Sequence, residues 1–287
     1  LDVQHVADRF DRHLELCSHG GNIPIEVSGE RQQVVSLIAQ RTDHRPDAMR
    51  TKWLVATQFG DEEIEAFLKS KAAPFKKMSR DEMINETASQ LAEEQAVVGW
   101  FQGRPEWGPR SLGARSILAD ARNEENWKRV NLKIKFRESF RPFAPAVMAD
   151  KASEWFDIDR ESPYMLLVCK VAGSQLLTVE KEGEGLEKLS IPRSTIPAVT
   201  HVDNTARVQT VDKERNSRFY QLLERFNAVT GCPVLVNTSF NVRGEPIICT
   251  PEDAYRCFMR TEMDWLVIVN HLFNKKEQPK WHEKENW

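Results

Sequence analysis

Short apolar runs alternate with capped helical segments from residue 78 to residue 274, and this alternation limits the fold more than any other feature of the chain. Residues 97–101 (VVGWF) predict a buried strand, and residues 217–230 predict an amphipathic helix that ends at Gly231. Thr250 and the Pro-Glu-Asp that follow it predict a helix N-terminus, with a capping hydroxyl, proline and early acids. Interleaved helices and strands without repeats indicate an α/β or α+β domain.

The other predicted elements follow from apolar periodicity and from capping residues. Ser79 and Glu82 have the spacing of a capping box. Helices are predicted at residues 61–69, 79–94 and 126–134, and strands at residues 164–171 (buried), 197–202, 206–211, 233–237 and 265–269. This organisation gives a mostly helical N-terminal segment at 1–77, a domain at 78–274 and a polar tail at 275–287.

Charge and cysteine content exclude several function classes. The net charge is only −3, so no overall basic field argues for nucleic acid as a partner. No apolar run is long enough to span a bilayer. Five scattered cysteines without a CxxC pair predict a reduced, cytoplasmic protein, and Cys169 and Cys249 lie in apolar runs where packing roles are expected. The sequence does not decide whether two copies of the chain form a homodimer.

The positive charge is concentrated in residues 101–141, which carry ten Lys or Arg against five acids. Within this window, residues 103–116 (GRPEWGPRSLGARS) combine three glycines, which allow close backbone approach to a ligand, with three arginines. Guanidinium forks match phosphate geometry, so Arg104, Arg110 and Arg115 are candidate phosphate ligands. A tight surface turn with solvated arginines is the alternative interpretation.

Two further polar clusters are predicted to face the same ligand from the ends of strands. In residues 133–145 (KIKFRESFRPFAP), extended backbone would place Lys135 and Arg137 on one side and Phe136 on the core side, as the wall of a triphosphate pocket. A solvated charge run is the alternative. Residues 237–245 supply hydroxyl and amide groups from Ser239 and Asn241, and here the alternative is a polar turn closed by local hydrogen bonds.

The clusters together resemble one family. Lys135 and Arg137, followed by Ser239 and Asn241, resemble the KxR and SxN signature of YrdC-like nucleotide-binding domains. A closer resemblance, to the C-terminal domain of O-carbamoyltransferases, covers roughly residues 53–272. It is carried by four strings in the family order: VVGWFQGRPEWGPRSLGARSILAD, IKFRESFRPFAPAV, PAVTHVDNTARVQTV and PVLVNTSFNVRGEPIICTPEDAYRCF. Those enzymes modify nodulation factors, aminoglycosides and cephamycins.

The resemblance implies a YrdC-like twisted mixed sheet with flanking helices that binds ATP, with Mg²⁺, and carbamoyl phosphate. It implies formation of carbamoyl-adenylate with release of pyrophosphate, for transfer to the hydroxyl of a small-molecule acceptor. The expected catalytic residues are Lys135, Arg141, Arg207 and Ser239. The expected nucleotide-binding residues are Arg110, Arg137, Asn237, Asn241 and Arg243. No metal site is predicted within this chain.

The N-terminal part departs from the family pattern. Members of the family carry a long Kae1-like domain, with an iron site built from histidines, before this region. Here only some 50 residues precede the match and the chain begins with Leu1, so a fragment is expected, with residues 1–77 as the edge of a truncated domain. Two alternatives stay open: a YrdC-like threonylcarbamoyl-adenylate synthase, and a non-catalytic nucleotide-binding module.

Overall fold

A computed structural model describes residues 58–106, 108–138, 141–179 and 191–281 of the chain. The predictions for residues 1–57 and for the last six residues of the tail lie outside these ranges. The division of the chain at residues 77 and 274 therefore stays a prediction.

A mixed sheet of nine strands runs through the described residues. The strands are β1 (Lys76–Lys77), β2 (Val98–Phe101), β3 (Arg115–Asp120), β4 (Ala144–Met148), β5 (Leu167–Lys170), β6 (Thr205–Val211), β7 (Val234–Ser239), β8 (Trp265–Ile268) and β9 (His271–Asn274). Their order across the sheet is β1-β9-β8-β2-β3-β7-β4-β6-β5, with β2 parallel to β8, β4 parallel to β6, and all other neighbours antiparallel. The predicted class, a mixed α/β sheet with flanking helices, is confirmed.

The α-helices flank this sheet, and four of the six described begin at a side chain that caps them, Ser79, Asn123, Asn216 or Thr250. They are α1 (Asp61–Ser70), α2 (Arg80–Ala92), α3 (Glu124–Arg129), α4 (Ala152–Trp155), α5 (Ser217–Thr230) and α6 (Pro251–Met259). Ser79 and Thr250 each complete a capping box, and Gly231 ends α5 in the left-handed conformation with φ of 71°. Both findings confirm the predictions. Every residue of β2 and β3 is buried, which fits two central strands covered on both faces.

Helix α3 continues into a π-helix at Val130–Ile134, a segment predicted as ordinary helix. The wider turn ends where the N–H of Lys135 donates to the carbonyl of Val130, five residues back, at 2.9 Å. One residue more per turn changes the direction in which the following side chains leave the helix. This local feature decides where Lys135 points.

Several predicted elements are wrong. Residues 197–202 form no strand, because Pro197–Val199 is a 3₁₀ turn. Strand β5 falls in the predicted range 164–171 but is an edge strand rather than a buried one, and Val168 is 59% exposed. Strands β3, β4 and β9 were not predicted. Cys249 is exposed and Cys169 half-buried, so neither is the core residue expected; Cys232 and Cys257 are buried instead.

Across the described ranges, no helix combines the length and the apolar character needed to cross a membrane.

Candidate functional site

A buried lysine joins the second and third polar clusters. The Nζ atom of Lys135 donates to the backbone oxygen of Ser239, to its Oγ at 3.2 Å, and to the backbone oxygen and Oδ1 of Asn241 at 2.9 and 2.7 Å. Ser239 ends β7 and Asn241 lies just beyond it, whereas Lys135 follows the π-helix. Three predicted site residues therefore meet, although 104 positions separate Lys135 from Ser239. We call these three residues the lysine cluster.

Two opposing effects act on the pKa of Lys135. Only 4% of the residue is exposed, and this burial lowers the pKa of Lys135 to about 7, with a smaller contribution from the charge of Arg137. The four oxygen acceptors around Nζ favour the protonated form, because an ammonium has three hydrogens to donate. The lysine cluster thus holds a titratable amine in a dry environment, where its protonated form would interact strongly with an incoming anion.

The segment from Lys135 to Arg137 is not extended as predicted. Lys135 has helical backbone angles, and Phe136 is in the left-handed region with φ of 46°. The lysine is consequently buried and Phe136 is 51% exposed, the reverse of the predicted orientation. The cause is the π-helix, which also means that this cluster follows the end of a helix and not the end of a strand.

A second group of cations comes from β6 and from the loop before β3. Arg207 is half-buried on β6, and its pKa is lowered first by burial and then by the nearby charge of Arg110. An anion bound by both guanidinium groups would relieve this repulsion. The Nε atom of Arg207 is buried and has no hydrogen-bond partner within the described ranges. We call Arg110 and Arg207 the arginine pair.

Asn237 connects the arginine pair to the lysine cluster. It lies two residues before Ser239 on β7, so the two side chains are on the same face of the sheet. Its Nδ2 donates to the backbone oxygen of Ser111 at 3.1 Å and to Oε1 of Gln209 at 2.7 Å. Gln209 in turn donates to the backbone oxygen of Leu112 at 2.8 Å. The chain that follows Arg110 is thereby fastened onto the sheet.

Sequence reasoning missed Ser111 and Gln209. Gln209 lies two residues after Arg207 in a predicted strand, so its position on the same face could have been read from the alternation of side chains. Ser111 gives no such signal, because it lies in a loop whose path depends on distant partners.

Arg115 has a structural role, which contradicts its prediction as a phosphate ligand. Its guanidinium group is fully buried over the ring of Phe101, 3.4 Å from the ring centroid. It donates to four backbone oxygens, those of Gln102, Gly103, Ala114 and Cys249, which hold the loop before β3 in place. Burial lowers the pKa of Arg115 to about 10. The group has no exposed surface in the folded chain that a ligand could contact.

The same loop is shaped by one carboxylate and one glycine. Glu106 accepts hydrogen bonds from the N–H groups of Leu112 and Ala114 at 2.7 and 2.5 Å. Burial raises the pKa of Glu106, against the effect of these bonds. Gly113 has φ of 110°, and a Cβ there would collide with the ring of Phe219. Glycine is thus required at this turn for both conformation and space.

The remaining predicted arginines contact other groups. Arg137 donates through Nε to Oδ1 of Asn131 at 2.7 Å and lies over the ring of Phe143. Arg141 and Arg243 both pair with Glu138, at 3.3 and 3.8 Å, and both side chains are more than half exposed. These exposed ion pairs are weakly held. Their predicted roles in catalysis and nucleotide binding stay predictions.

Two cavities lie beside the polar groups. One, of about 330 Å³, is lined by α3 residues such as Trp127 and by residues 191–203, including His201. The other, of about 540 Å³, is lined by Phe136, Val242 and Arg243 among others, and borders the lysine cluster through the neighbours of Lys135 and Asn241. Within the described residues, no three His, Cys, Asp or Glu side chains are grouped to hold a metal ion.

Comparison with known proteins identifies the family. Residues 88–275 match the carbamoyltransferase C-terminus family, and the chain therefore belongs to that family. This confirms the resemblance derived from the sequence strings.

Among its relatives is an uncharacterised protein of Synechocystis, 54% identical over 253 residues, or 86% of this chain. Nodulation protein NolNO of Sinorhizobium fredii is 41% identical over 68% of the chain. The 3'-hydroxymethylcephem-O-carbamoyltransferase of Amycolatopsis lactamdurans is 41% identical over 53% of it. The chain spans only 41%, 27% and 25% of the lengths of these three proteins.

Among solved structures, full-length HypF in its phosphate- and nucleotide-bound form aligns with 71% of this chain and 22% of its own, at 18% identity and a TM-score of 0.38. A likeness this low supports no conclusion about the chain.

Proposed function

We propose that this chain forms carbamoyl-adenylate from carbamoyl phosphate and ATP, for transfer to the hydroxyl of a small-molecule acceptor. Family membership supports carbamoyl chemistry, and the cephem relative is named for O-carbamoyl transfer. The observation that carries the proposal is the buried amino group of Lys135, held by Ser239 and Asn241 on the sheet face that also bears Arg207. Such an arrangement suits a substrate with several phosphates.

The proposed reaction consumes one water molecule. Water cleaves carbamoyl phosphate to carbamate and phosphate. A carbamate oxygen then forms a bond to the α-phosphorus of ATP while the bond from that phosphorus to the pyrophosphate oxygen breaks. The products are carbamoyl-adenylate, pyrophosphate and phosphate. Negative charge gathers around the α-phosphorus, so catalysis depends mainly on cations that are already in position.

Lys135 and the arginine pair are proposed to bind different anionic groups of the substrates. Lys135 is positioned to exchange some of its four protein oxygens for phosphate oxygens. The arginine pair would bind a second anionic group, and the mutual repulsion of Arg110 and Arg207 would be relieved on binding. ATP is proposed to bring its own Mg²⁺, an ion that normally retains waters and phosphate oxygens as ligands.

The test is pyrophosphate release by the 287-residue chain. Release is expected only when ATP, Mg²⁺ and carbamoyl phosphate are all present. Release that needs threonine and bicarbonate in place of carbamoyl phosphate would favour a threonylcarbamoyl-adenylate synthase. ATP binding without release under any of these conditions would favour a nucleotide-binding module and would overturn the proposal.

A further inference from the structure

A histidine just before β6 is held in one tautomer by its neighbours. Nδ1 of His201 lies 3.0 Å from Oγ1 of Thr205, and the same hydroxyl donates to Oδ1 of Asp203 at 2.7 Å. That bond lowers the pKa of Asp203, so its carboxylate is ionised and acts only as an acceptor. The single hydroxyl hydrogen of Thr205 is thereby used, and Oγ1 can only accept from His201. The proton of the neutral ring is therefore on Nδ1, and Nε2 has a lone pair.

The backbone between residues 201 and 205 fixes this arrangement locally. The N–H of His201 donates to the backbone oxygen of Thr205 at 2.8 Å, and the N–H of Asn204 donates back to that of His201 at 3.0 Å. Asn204 closes the turn in the left-handed region, with φ of 62°. The N–H of Thr205 also donates to Oδ1 of Asp203 at 3.1 Å. The orientation of the ring is thus set by four consecutive residues that follow it.

The ring of His201 lies over the sheet face that bears Arg207. Side chains two residues apart on a strand point to the same face, so Thr205 and Arg207 share one face of β6. His201 contacts the hydroxyl of Thr205 and is therefore on that face. Burial lowers the pKa of His201, the charge of Asp203 opposes this effect, and the charge of Arg207 lowers the pKa further. The ring is consequently neutral at pH 7, next to one member of the arginine pair.

The second ring nitrogen is available for chemistry. Within the residues that the structure describes, Nε2 of His201 makes no hydrogen bond. The ring is half-buried and lines the cavity of about 330 Å³, which has room for several water molecules. A neutral, oriented imidazole beside a cation that would bind an anionic substrate is suited to accept a proton from water.

We infer that Nε2 of His201 is the general base for the water that cleaves carbamoyl phosphate, with Thr205 and Asp203 as positioning residues. The inference rests on the proposed function and assigns a further catalytic residue to it. A base of this kind indicates attack at the carbamoyl carbon, because a phosphoryl group transferred through a loose transition state gains little from a base.

The step is balanced as follows. The water oxygen forms a bond to the carbamoyl carbon while Nε2 of His201 takes one water proton. The bond from that carbon to the phosphate oxygen breaks, and phosphate leaves with the electron pair. The carbamic acid that forms loses its remaining acidic proton and becomes the carbamate that attacks the α-phosphorus of ATP. The imidazolium returns to the neutral state by releasing its proton to solvent.

The test follows pyrophosphate release by His201→Asn in the 287-residue chain. The amide nitrogen of Asn can replace Nδ1 as the donor to Thr205, but no atom of Asn replaces Nε2. With carbamoyl phosphate, ATP and Mg²⁺, kcat is expected to fall by at least about a hundredfold, a usual contribution of a general base. With ammonium carbamate in place of carbamoyl phosphate, the cleavage step is bypassed, and release should equal that of the wild-type chain.

Variants of Thr205 test the positioning of the ring. Thr205→Val keeps the side-chain shape but removes the acceptor of Nδ1, so release from carbamoyl phosphate should fall about tenfold, the effect of one lost hydrogen bond. Thr205→Ser keeps the hydroxyl and should restore near-normal release. Thr195→Val is the matched control, because Thr195 is exposed and its hydroxyl donates to Oε1 of Gln175 at 2.7 Å; release should be unchanged. All three variants should use ammonium carbamate at the wild-type rate.

The outcomes separate this inference from the proposed function. An equal loss in His201→Asn with both substrates would show a structural role and would overturn the inference alone, as would near-normal release from carbamoyl phosphate by the folded variant. Wild-type release from carbamoyl phosphate but not from ammonium carbamate would exclude the route through carbamate and would also overturn the inference. Absence of release from the wild-type chain with either substrate overturns the proposed function and the inference together.

Discussion

The lysine cluster and the arginine pair are on one face of the sheet, yet the protein satisfies them to very different degrees. Every side-chain polar atom of the lysine cluster has a partner within the described residues, and Oδ1 of Asn241 accepts from both Lys135 and Ser239 at 2.7 and 2.8 Å. Around the arginine pair, like charges repel, and three buried polar atoms, on Arg207, Ser111 and Asn237, are unpartnered. The polar side chains of the first region are thus paired within the protein, whereas the second region keeps buried polar atoms without partners in the described residues.

The largest expected effect on pyrophosphate release comes from replacing Lys135, the central residue of the lysine cluster. In Lys135→Met, pyrophosphate release is expected to fall by at least about a hundredfold, because a buried cation that stabilises phosphate charge is replaced by an apolar chain. Lys133→Met is the matched control, since Lys133 is exposed and pairs with the exposed Glu262 at 3.1 Å. Near-normal release from folded Lys135→Met would remove the lysine cluster from the proposed site.

A smaller loss is expected when one member of the arginine pair changes shape but keeps its charge. Arg207→Lys should lower kcat/KM for pyrophosphate release by about tenfold to a hundredfold, because lysine lacks the fork and the Nε–H donor. Arg160→Lys, which alters an exposed pair with Asp159, should leave the rate unchanged. If the rate of Arg207→Lys equals that of this control, the positive charge of residue 207 is sufficient for its role in the arginine pair, and the fork geometry is not needed.

The pH dependence of binding tests the state of Lys135 in the free protein. Its pKa of about 7 means that it loses its proton as the pH rises through 7, and a bound triphosphate would raise that pKa. The dissociation constant of ATP should therefore increase between pH 7 and 9, by up to about tenfold per pH unit, as measured by calorimetry. A matching pH profile in Lys135→Met would assign the effect to another group.

The lowered pKa of Lys135 also makes the free energy of unfolding depend on pH. Between pH 7 and the ordinary lysine value of 10.5, the unfolded chain binds a proton that the folded chain does not. Lys135 should therefore make the free energy of unfolding rise with pH in that window, and Lys135→Met should lack this contribution.

The smallest effect is expected outside both regions. Arg243→Ala should change pyrophosphate release by no more than about twofold, because the side chain is exposed and its pair with Glu138, at 3.8 Å, is weak. A loss of tenfold or more would show that Arg243 leaves Glu138 and joins the substrate.

The sequence predicted the fold wherever local signals were strong. Capping residues at Ser79 and Thr250 and the glycine at 231 fix helix ends through bonds to near neighbours, and these elements are confirmed. Strand β3 was missed because it begins with Arg115 and Ser116 inside a loop-like string, and its strand character comes from pairing with β2 and β7. Pairing between distant segments leaves little trace in local composition.

The site was predicted in part, for a related reason. The meeting of Lys135, Ser239 and Asn241 followed from the resemblance, but the buried state of Lys135 depends on a π-helix that the sequence does not signal. Arg115 was mistaken for a phosphate ligand because the carbonyls that surround it come from four separate positions. Residue types indicated an anion site, whereas tertiary contacts decide which cations are available to it.

The π-helix at Val130–Ile134 makes the site sensitive to chain length at a place that contacts no substrate. Deleting one residue there would let the segment relax to ordinary α-helical winding, and everything after it would rotate by about 100°. Phe136 would then compete for the interior position of Lys135. The one extra residue in the π-helix thus sets the orientation that buries the side chain of Lys135.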